Sequence, residues 1–221
     1  NHTLRILNWN IHYGRDIFEN NTLEKMCEFI NDLNIDICIF QEVCVNKKYN
    51  QADIIKHLSG FKYDFFYSNH NLWDYKKGNI IISRIPFYEK RDHQYDKFFL
   101  RPNNNIMSVK IKHNEEYIWI TNTHLACDIT GYQQSEQINE LIDYIDKDEK
   151  NIICGDFNSV NYYESIKKMK KNFNSGLKKK TYPSVYPLYQ LDYVLYNNIE
   201  PKNIERIKNN LSDHCPILIE L

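Results

Sequence analysis

The alternation of apolar and polar positions divides this chain into many short β-rich runs and a few helical stretches. Residues 4–9 form a β-rich run that ends in Asn8 and Asn10, and residues 35–40 form a second, closed by Gln41 and Glu42. Residues 61–67 and 79–84 read as further strands, the latter stopped by Pro86 because proline cannot donate to a ladder. Residues 106–112 alternate as a half-buried strand does, and 117–122 lead into Thr123-His124. Residues 151–154, 191–196 and 215–221 complete the strands. Helical spacing appears at 22–33, where Leu23, Met26, Cys27, Ile30 and Leu33 share a face. It recurs at 51–58, 133–145 and 163–171. Asn21 and Glu24 suit a capping-box-like start for the first helix. More than eight strands with about four helices is not a simple βαβ series. The pattern predicts an α/β sandwich, two packed mixed, mostly antiparallel sheets flanked by helices. No linker, repeat or low-complexity segment interrupts it, so we expect one domain over residues 1–221.

Composition narrows the function classes. Hydrophobic residues make up 42% of the chain, enough for a sizeable core, and 28 basic residues nearly balance 29 acidic ones. No global field therefore advertises a nucleic-acid or membrane partner. The six cysteines lack CxxC or metal-like spacing, and Cys38 and Cys154 sit inside apolar runs; we read all six as reduced structural thiols. No stretch reaches the roughly 20 apolar residues of a membrane span, and there is no signal peptide. We expect a soluble monomer. The chain starts at Asn1 rather than methionine, which leaves room for a removed upstream segment.

The chemistry lies where strands end. Residues 151–158 read Asn-Ile-Ile-Cys-Gly-Asp-Phe-Asn, an apolar run closed by a glycine expected to turn the backbone, then Asp156 and Asn158. A carboxylate two residues from an amide suits holding a water against a phosphorus or carbonyl centre; it also suits an Asx turn closing a strand. Similar polar groups flank other strands: Asn10, Glu42, His124, Asp192, and Asp213 with His214. Singly, Glu42 reads as a strand-end charge, His124 as a core histidine and Asp213 as a turn cap. Jointly they describe one rim. Glu42, Asp213 and the amide oxygen of Asn10 are hard ligands suited to Mg2+ or Mn2+. His214, oriented by Asp192, suits a base or an electrostatic partner of a phosphoryl centre. There is no GxSxG elbow and no glycine-rich nucleotide loop.

The motifs Asn8-Trp9-Asn10-Ile11, Gln41-Glu42-Val43, Thr121-Asn122-Thr123-His124-Leu125, Gly155-Asp156-Phe157-Asn158, Leu191-Asp192-Tyr193-Val194 and Ser212-Asp213-His214-Cys215-Pro216 run in this order from residue 8 to 216. Together they resemble the endonuclease/exonuclease/phosphatase superfamily, the DNase I-like fold. Gly78-Asn79 through Ser83-Arg84, Thr181-Tyr182-Pro183 and the Asn-Ile-His-Tyr-Gly opening look like its compact bacterial-type members. The resemblance implies a four-layer α/β sandwich and metal-dependent hydrolysis of phosphate esters. Glu42 would be the principal metal ligand, supported by Asn10 and Asp213. Asp156 would position or deprotonate a water, Asn158 would hold water and phosphate oxygen, and His214 with Asp192, and His124, would stabilise transition-state charge. Whether Asp156 or His214 is the base stays open.

Departures narrow the substrate. Apurinic-site repair enzymes usually have a lysine soon after the glutamate and lack a histidine at position 124; this chain has Val43-Cys44 and His124. Seven lysines between 167 and 180 precede Thr181-Tyr182-Pro183. They read either as a polyanion-contacting patch or as a solvated helix face. Trp73, Tyr75 and Tyr182 could stack on bases or simply pack. Candidate substrate contacts are Asn79, Arg84, Tyr182, Lys178, Lys179 and Lys180. The expected function is hydrolysis of a phosphodiester, nucleic acid or nucleotide-linked ahead of sphingomyelin, another lipid or an inositol phosphate. A non-catalytic binding module is the remaining alternative.

Overall fold

The computed structural model describes residues 2–69, 75–96 and 104–221. Twelve strands in these residues form two six-stranded sheets. One contains β1 (Arg5–Asn10), β2 (Ile37–Asn46), β3 (Tyr63–Tyr67), β4 (Tyr75–Ser83), β11 (Asn203–Arg206) and β12 (Ile217–Glu220), in the order β11-β12-β1-β2-β4-β3. The other contains β5 (Glu89–Gln94), β6 (Asn105–His113), β7 (Glu116–His124), β8 (Asn151–Asp156), β9 (Asn174–Ser175) and β10 (Asp192–Asn197), in the order β5-β6-β7-β8-β10-β9. Helices α1 (Leu23–Asp32) and α2 (Gln51–Ser59) cover the first sheet, and α3 (Tyr132–Tyr144) and α4 (Glu164–Asn172) cover the second. The expected sandwich is present.

Strand periodicity builds the four layers. Ile152 and Cys154 of β8 point between the sheets, where they meet Ile6, Ile39, Ile81 and Ile120. Ile153, between them in sequence, points to Leu141, Ile166 and Met169 under α3 and α4. On the other side Trp9 and Phe40 face Met26 and Ile30 of α1. Each fully buried isoleucine contributes about 1.5–3 kcal/mol relative to exposure, so sliding a strand by one residue would bury its polar row. Toward one end of the inter-sheet core the row becomes polar. Gln41 Nε2 donates to Asn8 Oδ1 and to Asn122 Oδ1, both at 2.9 Å, and Asn79 Nδ2 donates to Asn105 Oδ1 at 2.9 Å. This amide seam links the two sheets.

Several expectations change. β2 does not end at Gln41-Glu42 but continues to Asn46, paired with a β4 that begins at Tyr75 rather than Asn79. The N-cap of α1 is Thr22, whose side chain makes no cap bond; Asn21 Oδ1 accepts from Leu23 N, and no capping box with Glu24 forms. The Thr22 hydroxyl donates instead to the Leu211 carbonyl. Gly155 lies inside β8 rather than turning the chain, and a Cβ there would stand 1.9 Å from the Thr123 carbonyl oxygen. Glycine is needed for close strand approach. β5, β9 and β11 carry no apolar alternation and were invisible to it; β5 reads Glu-Lys-Arg-Asp-His-Gln and lies at a sheet edge, where charge guards against further pairing. No disulfide joins the cysteines, and five of the six are buried. Among the described residues, no helix is long and apolar enough to cross a membrane.

Candidate active site

Parallel pairing brings the polar strand ends together. β1 pairs parallel with β2, and β7 with β8, with Asn10 beside Gln41 and His124 beside Asp156. β10 and β12 run antiparallel to β8 and β1, so their amino ends reach the same edge; Asp192 pairs with Asp156, and Asp213-His214 lie just before β12. The carboxyl ends of parallel strands are where α/β sheets place ligands. A cleft of about 590 Å³ opens there, with Tyr13, Glu42, His124, Asp156, Asn158 and Tyr182 on its walls, and with Asp213 and His214 opposite.

Local distortions aim the side chains. The β2–β4 register breaks between Phe40 and Val43, and Glu42 takes a left-handed φ of 55°. Val43 then occupies the helix-facing row that Glu42 would have filled, and the carboxylate turns into the cleft. A left-handed non-glycine residue costs about 1 kcal/mol or more, so this placement is held by its surroundings. His12, Tyr13 and Gly14 follow with φ of 49°, 54° and 73°. Gln51 Nε2 bonds the Tyr13 carbonyl at 2.8 Å, and the Lys77 ammonium lies 4.7 Å from the Tyr13 ring centroid.

Asn10 differs from its expected role. Its Oδ1 accepts from His12 N at 3.0 Å, and its Nδ2 donates to Glu42 Oε2 and, at 3.0 Å, to Asp156 Oδ2. The amide oxygen is turned to the backbone rather than presented to a cation. Asn10 bridges two carboxylates as a donor.

Asp156 does two jobs with its two oxygens. Oδ1 accepts from Asn158 N at 3.0 Å, an Asx turn that closes β8. Oδ2 faces Asn10, His124 Nε2 at 3.3 Å and His214 Nε2 at 3.5 Å. Asn158, at φ 44°, donates its side-chain amide to the Leu125 carbonyl at 2.9 Å. His214 Nδ1 lies 2.8 Å from Asp192 Oδ2, and the same oxygen accepts from Thr181 Oγ1 at 2.6 Å. Leu191 N and Asp192 N donate to that hydroxyl in turn, at 3.2 and 3.3 Å. Thr181 thus holds the aspartate that holds the histidine. The sequence marked Thr181 only as part of a tripeptide; its signal was a hydroxyl next to an aromatic, eleven residues before a strand-start aspartate. Tyr182 covers His214, ring centroids 4.9 Å apart. Trp9 Nε1 bonds the His214 carbonyl at 2.9 Å and Ser212 Oγ the Asn10 carbonyl at 2.6 Å, fixing the 212–214 turn to β1.

Charge follows from this geometry. Burial alone would raise the Asp156 carboxyl, but the His214 and His124 imidazoles and the bonds from His124 and Asn158 outweigh it and hold Asp156 well below the usual carboxylate range. Burial would lower His214, yet Asp192 and Asp156 raise it well above an ordinary histidine. His124 is raised for the same reason, by Asp156 and then Glu42 against its burial. Asp213 is pushed up by burial, and Glu42 and Asp156 add to that while His214 and His12 oppose it.

Other candidate contacts lie elsewhere. Asn79 is fully buried in the amide seam with Asn105, not in the cleft. Arg84 follows the far end of β4; its Nε donates to the Ile35 carbonyl at 3.0 Å and its guanidinium lies over Phe61, because that end of β4 pairs with the start of β2. Lys178, Lys179 and Lys180 are exposed and line a neighbouring depression rather than the cleft. Tyr182 is in the cleft. Trp73 and the Tyr75 side chain lie outside the described residues.

The donor set fits a divalent cation. Asp156 and Asp192 contact the His124 and His214 imidazoles, and Glu42 and Asp213 line the same cleft. Glu42, His124 and Asp156 offer ligand atoms within 4.8 Å of one another. The oxygens of that cluster are hard donors, which suit a divalent cation that takes oxygen ligands.

Fold and site together define a DNase I-like α/β sandwich with a carboxylate–imidazole cleft at its strand ends. The chain belongs to the Endonuclease/Exonuclease/phosphatase family, whose model matches residues 7–214. Hydrolases of this family are generally phosphoester-cleaving and typically use divalent metals. Among solved structures, an endonuclease/exonuclease/phosphatase from Beutenbergia cavernae is 16% identical with a TM-score of 0.81, covering 100% of this chain and 71% of its own. D. rerio TDP2 complexed with a single-strand DNA product is 13% identical with a TM-score of 0.74, over 100% and 99%. A beta toxin from Staphylococcus aureus is 19% identical with a TM-score of 0.70, over 98% and 99%. A search of curated proteins finds no significant match.

Proposed function

We propose that this protein is a Mg2+-dependent phosphodiester hydrolase, with Mn2+ as a substitute, acting on nucleic acid or a nucleotide-linked phosphodiester. The observation that carries the reading is the convergence of His124 and His214 on one oxygen of Asp156, with Glu42 in reach of the same point. Glu42 and Asp213 hold the cation, and Asn10 keeps Glu42 aligned with Asp156. The cation, when bound, supplies charge neutralisation at the phosphoryl oxygens.

The remaining work falls to side chains. Asp156 stays ionised and accepts a hydrogen from the attacking water, orienting its lone pair toward phosphorus. Asp192 and Asp156 favour the charged form of His214, which suits it to donate rather than to act as the base. It and His124 donate to phosphoryl oxygens as charge grows there. Asn158 lines the same wall and holds the water or a phosphate oxygen. Asp192 keeps the His214 ring oriented and charged.

TDP2 and the beta toxin resemble this fold about equally, so the preference for nucleic acid over lipid rests on exposed Lys178, Lys179 and Lys180 beside the cleft. The test is a substrate panel of plasmid DNA, single-stranded DNA and RNA, 5′-tyrosyl DNA, sphingomyelin and inositol phosphates with Mg2+, Mn2+, Ca2+ or EDTA. Turnover should vanish with EDTA and return with Mg2+. Turnover that survives EDTA, or that Glu42→Ala retains, would overturn the mechanism; turnover of sphingomyelin alone would replace the substrate.

A further inference from the structure

Next to the cleft, across the wall made by Thr181 and Tyr182, lies a second depression of about 450 Å³. Three chain segments pass from one into the other. Asn158 lines the cleft, and Val160 and Asn161 line the depression; Tyr182 lines the cleft, and Lys178 to Lys180 the depression; Leu191 lines the cleft, and Tyr189 and Gln190 the depression. Linings that follow one another along three chain segments make the two hollows neighbours.

Its composition is unlike the cleft's. Three lysines line it and no carboxylate does, and none of the three makes an ion pair among the described residues. Tyr162 and Tyr189 stand 70% and 52% exposed on its walls. The backbone beneath them is fixed. Thr181 N and Tyr182 N both donate to the Tyr189 carbonyl, Gln190 Nε2 bonds the Leu177 carbonyl at 3.1 Å, and Arg206 Nη1 bonds the Lys180 carbonyl at 2.8 Å. Positive charge and open aromatic faces on a rigid floor are what an unpaired nucleic-acid strand requires, since lysines meet its phosphates and rings stack on its bases. A duplex keeps its base faces inside the stack.

We propose that this groove is the track for a single-stranded polynucleotide whose scissile phosphate occupies the cleft. Lys178, Lys179 and Lys180 contact phosphates to one side of the scissile bond, and Tyr162 and Tyr189 stack on the bases between. The assignment rests on the phosphodiesterase reading of the cleft and adds to it the form of the substrate and the side on which it extends.

The test is fluorescence anisotropy with a labelled oligothymidylate in EDTA, so that nothing is cleaved, over a series of salt concentrations. The combined Lys178→Ala, Lys179→Ala, Lys180→Ala variant should weaken binding and reduce the log–log salt slope by about 2, from three phosphate contacts at about 0.7 each on a single strand. Tyr162→Ala with Tyr189→Ala should weaken binding about tenfold or more while leaving the salt slope in place, the mark of lost stacking. With Mg2+, the lysine variant's kcat/KM for the oligonucleotide should fall relative to that for bis(p-nitrophenyl) phosphate, a diester too small to reach the groove. An unchanged salt slope, equal affinity for duplex, or lysine-dependent binding to phosphatidylserine vesicles without oligonucleotide binding would overturn the track. Wild-type protein that binds the strand through these lysines yet cleaves neither diester would leave the track standing and sink the phosphodiesterase reading.

Discussion

At one edge of the sandwich the strands deliver Asn10, Glu42, His124 and Asp156; at the opposite edge they deliver Arg5 and Arg84. At the far edge each charge is answered. Arg5 pairs with Glu220 at 2.7 Å, and Arg84 caps backbone carbonyls at Ile35 and Gly60. At the cleft edge, carboxylates exceed their imidazole partners, and His12, Tyr13, Glu42 and Asn158 sit in left-handed backbone. The far edge pairs its charges one to one, and the cleft edge turns several charges toward a single point, as a functional site does.

That contrast can be broken most severely at Glu42 and Asp156. Glu42→Gln should cut kcat by about a thousandfold or more yet raise the melting temperature, because it removes a carboxylate that raises Asp213. Asp156→Asn should cut kcat comparably and lower the melting temperature, since it takes the carboxylate from His124 and leaves His214 with Asp192 alone. Steady-state kinetics beside calorimetry separate the two. If both variants shift stability the same way, the charge argument is wrong.

Asp192→Asn probes the histidine, and a loss of about 10²–10⁴ in kcat is expected. His214's folded value stands above its unfolded one, so the charged ring and its stability contribution are fully present below the unfolded value, around 6.5, and lost as pH rises through the folded value. Removing Asp192 should move the basic limb of the pH–kcat profile to lower pH. A limb that stays put would exclude His214 as its source. Thr181→Val should lower kcat about tenfold, shift that limb in the same direction by less, and cost about 1–3 kcat-independent kcal/mol of stability from unpaired amides at 191 and 192. The smallest activity effect belongs to the far edge. Arg84→Ala should cost about 1–2 kcal/mol in urea unfolding and leave kcat/KM within about twofold.

The sequence and structure agree where a residue's position is set by its own strand. Asp156, His124 and Asp192 follow from apolar runs with polar ends, and parallel pairing then brings those ends together. Agreement fails where role depends on a distant partner. Arg84 looked like a strand-end contact, but strand direction sends it to the opposite edge. Asn79 was a candidate substrate contact, but its partner Asn105 lies 26 residues away on the other sheet and holds it in the seam. Asn10's amide orientation depends on the left-handed turn at His12, which no periodicity signals. β5 and β11 escaped notice because edge strands carry charge rather than alternation.

The amide seam has a consequence for how the protein loses function with heat. The cleft draws Asn10, Glu42, Asp213 and His214 from one sheet and its turns, and His124, Asp156 and Asp192 from the other. Gln41, Asn8 and Asn122, with Asn79 and Asn105, act as keys in a joint between those halves. Oily surfaces alone could creep past each other by small steps, whereas keyed ones must release several bonds at once in a dry interior. Softening of the catalytic geometry and melting of the whole sandwich therefore become a single event, and activity should climb smoothly with temperature and fall only where the fold itself gives way.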